Sequence, residues 1–277
     1  MSCKVKILSV FFAVACALLI RQAAQAQMLP FNLENMDNAV GIGIGMLPDY
    51  QGSNDYMVGG APFGKVTLVP KTDYYARLLA TDLQVNIINS PVFRFGPAIN
   101  YRFGRSDDVE DDVVKEMKEI DGTIEAGAFV GIQLVDKDNP RNRFLSQIEF
   151  LADVGGEYDG WNIGLTANYY FQVHKAVDLI VGAGIMYADD DYMKTYFGVD
   201  QVDSDRTDNV LPVYEPGDGF LMARVTAAAV VHLSYQWHIA AGVQYRPLLG
   251  DASDSPVVDD RGDSNQWVSG IGVAYTW

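Results

Sequence analysis

The fold is decided by one stretch of the sequence, WNIGLTANYYFQ at residues 161–172, in which apolar and polar side chains alternate. Successive side chains of a β-strand point to opposite faces of a sheet. One face of this segment is therefore apolar and aromatic, and the other is small or polar. A tilted strand of about 9–11 residues crosses a membrane, whereas strands of globular proteins average about 5–6 residues. Length and alternation together predict a membrane-spanning strand.

The same alternation recurs from residue 38 to the end of the chain, for example at residues 93–103, 124–134 and 177–187. It predicts twelve strands, and an even number with both ends in the periplasm is typical of bacterial barrels. One alternative stays open, because a kink at Ala80-Thr81-Asp82 would merge two strands and reduce the count to 11. The predicted strands are 38–47, 57–68, 72–79, 82–88, 92–103, 123–135, 143–154, 161–172, 177–187, 219–233, 236–247 and 266–277.

The last strand predicts how the protein is inserted. Ile271, Val273, Tyr275 and Trp277 alternate with small residues, so they should face lipid and form the insertion signal used by the barrel-assembly machinery. Aromatic residues also cluster at the ends of the apolar faces, where a barrel carries its two aromatic girdles. The sequence thus predicts an all-β protein, a transmembrane antiparallel up-and-down β-barrel of 12 strands in the cell outer membrane.

The first 26 residues predict a secretory signal peptide. Lys4 and Lys6 give a positive start, residues 7–20 form an apolar run, and Ala-Gln-Ala at residues 24–26 forms a cleavage site. The apolar run is too short to span a bilayer, which requires about 20 residues. The mature protein is expected to be residues 27–277, a single outer-membrane barrel domain. Both cysteines lie in the removed segment, so neither a disulfide nor a thiol nucleophile is expected.

The segments that connect the strands are of two kinds, and most of the acidic residues lie in one of them. Removal of the signal peptide leaves 17 basic and 36 acidic residues, a net charge of −19, which argues against nucleic acid as a partner. The acids concentrate in the long segments 104–121, 188–218 and 248–265, whereas turns such as 89–91 and 173–176 are short. Long outer loops and short periplasmic turns are typical of barrels. The acidic loops are therefore expected outside, solvated or binding cations that bridge lipopolysaccharide.

Four sequence motifs resemble a known family. They are GIGMLPDYQGSNDY at residues 43–56, FGPA and YRFGR at 95–105, ADDDYMKTYFGV at 188–199, and LGDASDSP at 249–256. Together they are similar to the MipA/OmpV family, the MltA-interacting-protein family of outer-membrane proteins. The resemblance implies a barrel among outer-membrane lipid. In the best-known member it also implies a scaffold that joins a lytic murein transglycosylase to a murein synthase, while other members are described as porin-like or adhesive.

The sequence predicts no catalytic, cofactor-binding or metal-binding set. It contains no G-x-S-x-G motif, and the lipid-facing Ser146 and Ser269 have no histidine on their face. His232 and His238 are expected opposite each other on the lumen face, as polar residues near the rim, because no third metal ligand is identifiable. Arg261-Gly262-Asp263 matches an adhesive tripeptide. A non-enzymatic scaffold for peptidoglycan remodelling is the leading functional hypothesis, with a small-solute or cation-preferring channel and a surface adhesin as alternatives.

Overall fold

Twelve antiparallel strands close into one barrel, in which each strand pairs with its neighbours in sequence and the first pairs with the last. The computed structural model describes Met36 and residues 38–277, so the predicted signal peptide and the start at Gln27 lie outside the described residues. All twelve predicted strands are confirmed. They are β1 Ala39–Pro48, β2 Tyr56–Thr67, β3 Tyr75–Leu79, β4 Asp82–Asn86, β5 Phe93–Arg102, β6 Thr123–Val135, β7 Arg143–Asp153, β8 Trp161–His174, β9 Val177–Ala188, β10 Gly219–His232, β11 Trp237–Pro247 and β12 Asn265–Thr276.

Residues 80 and 81 form the turn of a hairpin between β3 and β4, so the alternative of 11 strands is wrong. Ala80 has a φ of 56°, and its N–H donates to the Pro62 carbonyl at 2.9 Å, which closes the turn against β2. Both strands are shorter than predicted, because this hairpin turns back partway across the barrel wall. Among the described strands, residues 56–61 of β2 therefore pair with β1 alone.

The two faces of the strands follow the predicted alternation. Outward residues are apolar and exposed, such as Val58 at 70% and Ile44 at 59%. Aromatic rings meet at both ends of this apolar band, as in Trp161–Tyr187, whose ring centroids lie 6.0 Å apart, and Trp237–Tyr275, at 5.1 Å. We call the end with long loops the outer end and the end with short turns the periplasmic end, following the asymmetry of bacterial barrels.

The outer loops contain short helices, which the sequence reasoning missed when it treated these acidic segments as solvated. The helices are α1 Asp190–Phe197, α2 Gln201–Arg206, α3 Gly250–Ser253 and α4 Pro256–Asp259, besides a 3₁₀ helix at Val114–Glu116. Asp189 and Asp200 cap α1 and α2 by accepting from backbone N–H groups at 3.1 and 2.8 Å. These aspartates thus act as N-caps, which stabilise a helix by about 1 kcal/mol. None of the described helices has the length and apolarity to span a membrane.

Candidate functional site

A polar cavity of about 150 Å³ lies inside the barrel. That volume has room for roughly ten water molecules. On its periplasmic side the wall becomes apolar, because Leu145, Tyr170 and Ile180 line the cavity and also belong to a buried apolar cluster. The polar lining residues come from strands on all sides of the lumen, and they include Gln84, Asn100, Gln147, Asn162, Thr166, Asn168, Thr226 and Gln244.

Charged side chains of opposite sign lie on different walls of the cavity. Asp82 on β4 and Glu149 on β7 line one side, and Arg224 on β10 and Arg246 on β11 line another. Arg77 approaches Asp82 with an N–O distance of 3.9 Å. Fixed charges arranged in this way create a field across a low-dielectric cavity. The lumen therefore has the mixed polar and charged character that the alternating sequence predicts.

At its outer end the cavity meets a hydrogen-bond network centred on the fully buried carboxylate of Glu125. Arg102 donates to both carboxylate oxygens, from Nε at 2.7 Å and from Nη2 at 3.2 Å. Asn100, Tyr158 and Asn162 donate to the same carboxylate at 2.6, 2.6 and 3.0 Å. Such bidentate, charge-assisted contacts are among the stronger hydrogen bonds in proteins. The network joins β5, β6 and β8 to the loop that carries Tyr158.

The same network holds helix α1 against the barrel wall. Arg102 donates from Nη1 to the Tyr192 hydroxyl at 2.8 Å, and its guanidinium lies 4.8 Å from the Tyr192 ring centroid. Tyr192 in turn donates to the Gln51 side chain at 3.0 Å. Burial raises the pKa of Tyr192 to about 12, so its hydroxyl stays protonated as a donor. A loop helix is thus anchored inside the mouth of the barrel.

The outer loops fill that mouth as a packed body, which we call the outer plug and define as residues 49–55, 103–122, 189–218 and 248–264. Ser255 connects its helices by donating to the Phe197 carbonyl at 2.6 Å. Full burial of a large apolar side chain contributes about 1.5–3 kcal/mol. Several plug residues are buried to that degree, namely Tyr192, Met193, Phe197, Leu211 and Val257.

The Arg261-Gly262-Asp263 tripeptide is hydrogen-bonded to other residues of the outer plug. Arg261 donates from Nη2 to Asp111 at 2.8 Å and from Nε at 3.1 Å, and these bonds hold the pKa of Arg261 above its usual value. Gly262 pairs with Ser53 in an isolated bridge, and the Asp263 N–H donates to the carbonyl of residue 52 at 2.8 Å. The arginine and the backbone of the tripeptide are therefore engaged within the chain.

The two histidines face each other as predicted, and they belong to a hydrogen-bonded chain at the periplasmic end. Their Nδ1 atoms lie 2.7 Å apart. His232 Nε2 lies 3.0 Å from an Asp178 carboxylate oxygen, and His238 Nε2 lies 3.1 Å from the Thr276 hydroxyl. Asp178 also pairs with Arg141 at 2.6 Å. Sequence reasoning missed Asp178, although its lumen-facing position next to the β8–β9 turn was a usable signal.

The predicted insertion-signal residues lie on the outer face of the last strand. Ile271, Val273 and Trp277 are 50%, 42% and 59% exposed, and Tyr275 shares their alternation. Their role as an insertion signal stays a prediction.

One acidic group in the described part of the chain has the spacing of a cation site, since the ligand atoms of Asp189, Asp190 and Asp191 lie within 4.8 Å of one another. Asp189 caps α1, and Asp190 pairs with Lys194 at 2.8 Å, which lowers the pKa of Asp190. Capping and ion pairing account for these two carboxylates without a cation.

A closed antiparallel barrel with an apolar outer band, aromatic girdles and a polar lumen is the architecture of a bacterial outer-membrane protein. The family model described as MltA-interacting protein MipA matches residues 40–277. The chain therefore belongs to the MipA family, as its sequence motifs indicate.

Two curated relatives are also outer-membrane proteins by name. Omp26La of Vibrio anguillarum is 28% identical over 196 residues, covering 69% of this chain and 66% of the relative. OmpV of Vibrio cholerae is 28% identical over 191 residues with the same coverage. The match thus spans just under two thirds of each relative. Among solved structures, the NanC porin is 10% identical with a TM-score of 0.47, covering 87% of this chain and 100% of the porin. The KdgM porin is 8% identical with a TM-score of 0.40, covering 86% and 99%.

Proposed function

We propose that this barrel is a non-enzymatic anchor that holds a murein lytic transglycosylase at the inner face of the outer membrane. The observation that carries the proposal is the outer plug, whose buried helices and Glu125 network occupy the mouth that an open pore would need. The name of the family, MltA-interacting protein, points to a lytic transglycosylase as the class of partner. A murein synthase bound to the same assembly would couple synthesis to cleavage.

The periplasmic turns offer a fixed surface for such a partner. Asp136 accepts from the Asp138 N–H at 2.9 Å, and this bond lowers the pKa of Asp136. Arg141 donates to the Lys175 carbonyl at 2.8 Å, which joins the β6–β7 turn to the β8–β9 turn. A preorganised surface binds with a smaller entropic cost than a mobile one.

Tyr235, at the tip of the β10–β11 turn, provides an exposed anchor on the same surface. Its side chain is 96% exposed, and tyrosine is enriched among residues that dominate binding energy at protein interfaces. Tyr235 therefore supplies an exposed aromatic contact on the proposed docking surface.

Crosslinking and pull-down from native membranes test the anchor. The wild-type barrel should recover a murein lytic transglycosylase, and Tyr235→Ala should lower the recovered amount severalfold. Tyr56→Ala is the matched control, because Tyr56 is a 40% exposed tyrosine at the outer end. Failure of the wild-type barrel to recover any murein enzyme, or equal loss in both variants, would contradict the proposal.

A small-solute channel is the second candidate, and the polar cavity between the charged walls is the observation that favours it. Acidic outer loops would make such a channel prefer cations. Planar-bilayer recording of the purified barrel separates the two functions. Stable cation-selective steps from the wild-type protein, with no enzyme recovered from membranes, would support the channel and overturn the anchor.

A further inference from the structure

An unpaired arginine lies at the base of the outer plug. Arg105 follows β5, and its backbone pairs with Ile120 through two hydrogen bonds of 2.8 Å. Its side chain is only 6% exposed, and its guanidinium lies 6.0 Å from the ring centroid of Tyr50. Among the residues that the structure describes, none accepts a hydrogen bond from this guanidinium or forms an ion pair with it. Its buried Nε has no partner. Arg102, three residues earlier, is by contrast fully paired with Glu125.

A second donor without an acceptor faces the same space. The Tyr196 hydroxyl on α1 is buried and has no hydrogen-bond partner among the described residues. Arg105 and Tyr196 both line a small cavity of about 20 Å³, together with Tyr50, Gln51, Arg102 and Ile120. Two buried donors from different parts of the outer plug thus line the same small cavity.

The cost of burying an unpaired charge favours an anion in this volume. A buried charge without a partner costs several kcal/mol, and arginine does not escape this cost by losing its proton. Asp203 is the acidic group whose charge acts on Arg105, but the two side chains form no ion pair, and the Asp203 carboxylate accepts instead from the Lys118 N–H at 2.7 Å. A water molecule could accept from the donors, but it could not neutralise the charge.

The size of the cavity limits the class of anion. A single water requires about 10–15 Å³ of such space, so 20 Å³ favours a small monatomic anion over phosphate or a sugar acid. We propose that this cavity binds a halide ion, chloride under physiological conditions, through the Arg105 guanidinium and the Tyr196 hydroxyl. The ion joins the segment after β5 to helix α1 and so stabilises the outer plug. This site is independent of the proposed periplasmic anchor.

Thermal unfolding of the purified full-length mature barrel in detergent tests the site. Chloride would be exchanged for gluconate at constant ionic strength and pH, and the Tm would be followed by tryptophan fluorescence. A ligand that binds only the folded state at a hundred times its Kd should raise the Tm by about 5 °C or more. A Tm that is the same in chloride and in gluconate would overturn the proposal.

Variants test whether the chloride-dependent rise in Tm originates at this cavity. Arg105→Gln should abolish the chloride-dependent shift, and Tyr196→Phe should reduce it at least severalfold. Arg206→Gln removes the same charge from an exposed position on α2 and should keep the full shift. An unchanged shift in Arg105→Gln would show that chloride acts elsewhere. Wild-type crystals soaked in bromide give a test that does not depend on variant folding, since anomalous density should appear between the two donors, and empty density there would refute the site.

Discussion

Replacement of Glu125 by glutamine should weaken the outer plug and the barrel together. The change removes the charge that faces Arg102 and turns an amide N–H₂ towards the donors of one of the two carboxylate oxygens, which then lose their acceptor. Removal of one partner from a buried ion pair costs about 3–5 kcal/mol. We therefore expect the free energy of unfolding to fall by about 3 kcal/mol, and the urea midpoint to fall by about 1 M or more.

The measurement is urea unfolding of the barrel in lipid vesicles, followed by tryptophan fluorescence. Glu119→Gln is the matched control, because Glu119 is exposed on an outer loop and should change stability by no more than about 0.5 kcal/mol. A double-mutant cycle with Arg102→Gln should give a coupling energy of about 2 kcal/mol or more. Equal effects of the two glutamate substitutions, or strict additivity in the cycle, would refute the reasoning.

Glu125→Gln should also increase the number of single-channel openings relative to the wild-type barrel, because α1 loses its anchor.

Three further predictions concern insertion, topology and strain. Deletion of Trp277 should lower the amount of heat-modifiable barrel in the outer membrane, and an unchanged amount would argue against the insertion signal. Membrane-impermeant maleimide added to intact cells should label Asp112→Cys, Asp205→Cys and Asp259→Cys, which lie on outer loops. It should not label Lys175→Cys, which lies in a periplasmic turn. The reverse pattern would show that the topology is inverted. Ala80→Gly should stabilise the barrel by about 0.5–1 kcal/mol in urea unfolding, because Ala80 has a φ of 56°. A lower urea midpoint in this variant would show that the alanine is not strained there.

The alternation of side chains was sufficient to predict the barrel, because lipid on one side and the lumen on the other impose a two-residue period on every strand. It overestimated β3 and β4, since their length is set by the turn at Ala80 and not by the thickness of the membrane. The paired histidines were also predictable, because a three-residue turn fixes the register of its two strands.

The outer plug was only partly predictable. The caps Asp189 and Asp200 are local signals, because each stands directly before a helix, and they could have been found. The Arg261–Asp111 pair joins residues 150 positions apart, and no local pattern indicates it. The unpaired state of Arg105 is likewise invisible in the sequence, since it depends on which acids fold towards it.

The outer plug also bridges β1 and β12, the first and last strands, whose pairing closes the barrel. Gln266 on β12 donates to the Ser53 carbonyl at 2.9 Å and accepts from the Gly52 N–H at 3.2 Å, contacts that span 213 and 214 residues of sequence. These bonds join the β1–β2 loop to β12, so they require the two ends of the sheet to lie side by side. Contacts of such long range slow folding. Once formed, they oppose separation of the first and last strands, and they therefore lengthen the lifetime of the closed barrel more than they speed its formation.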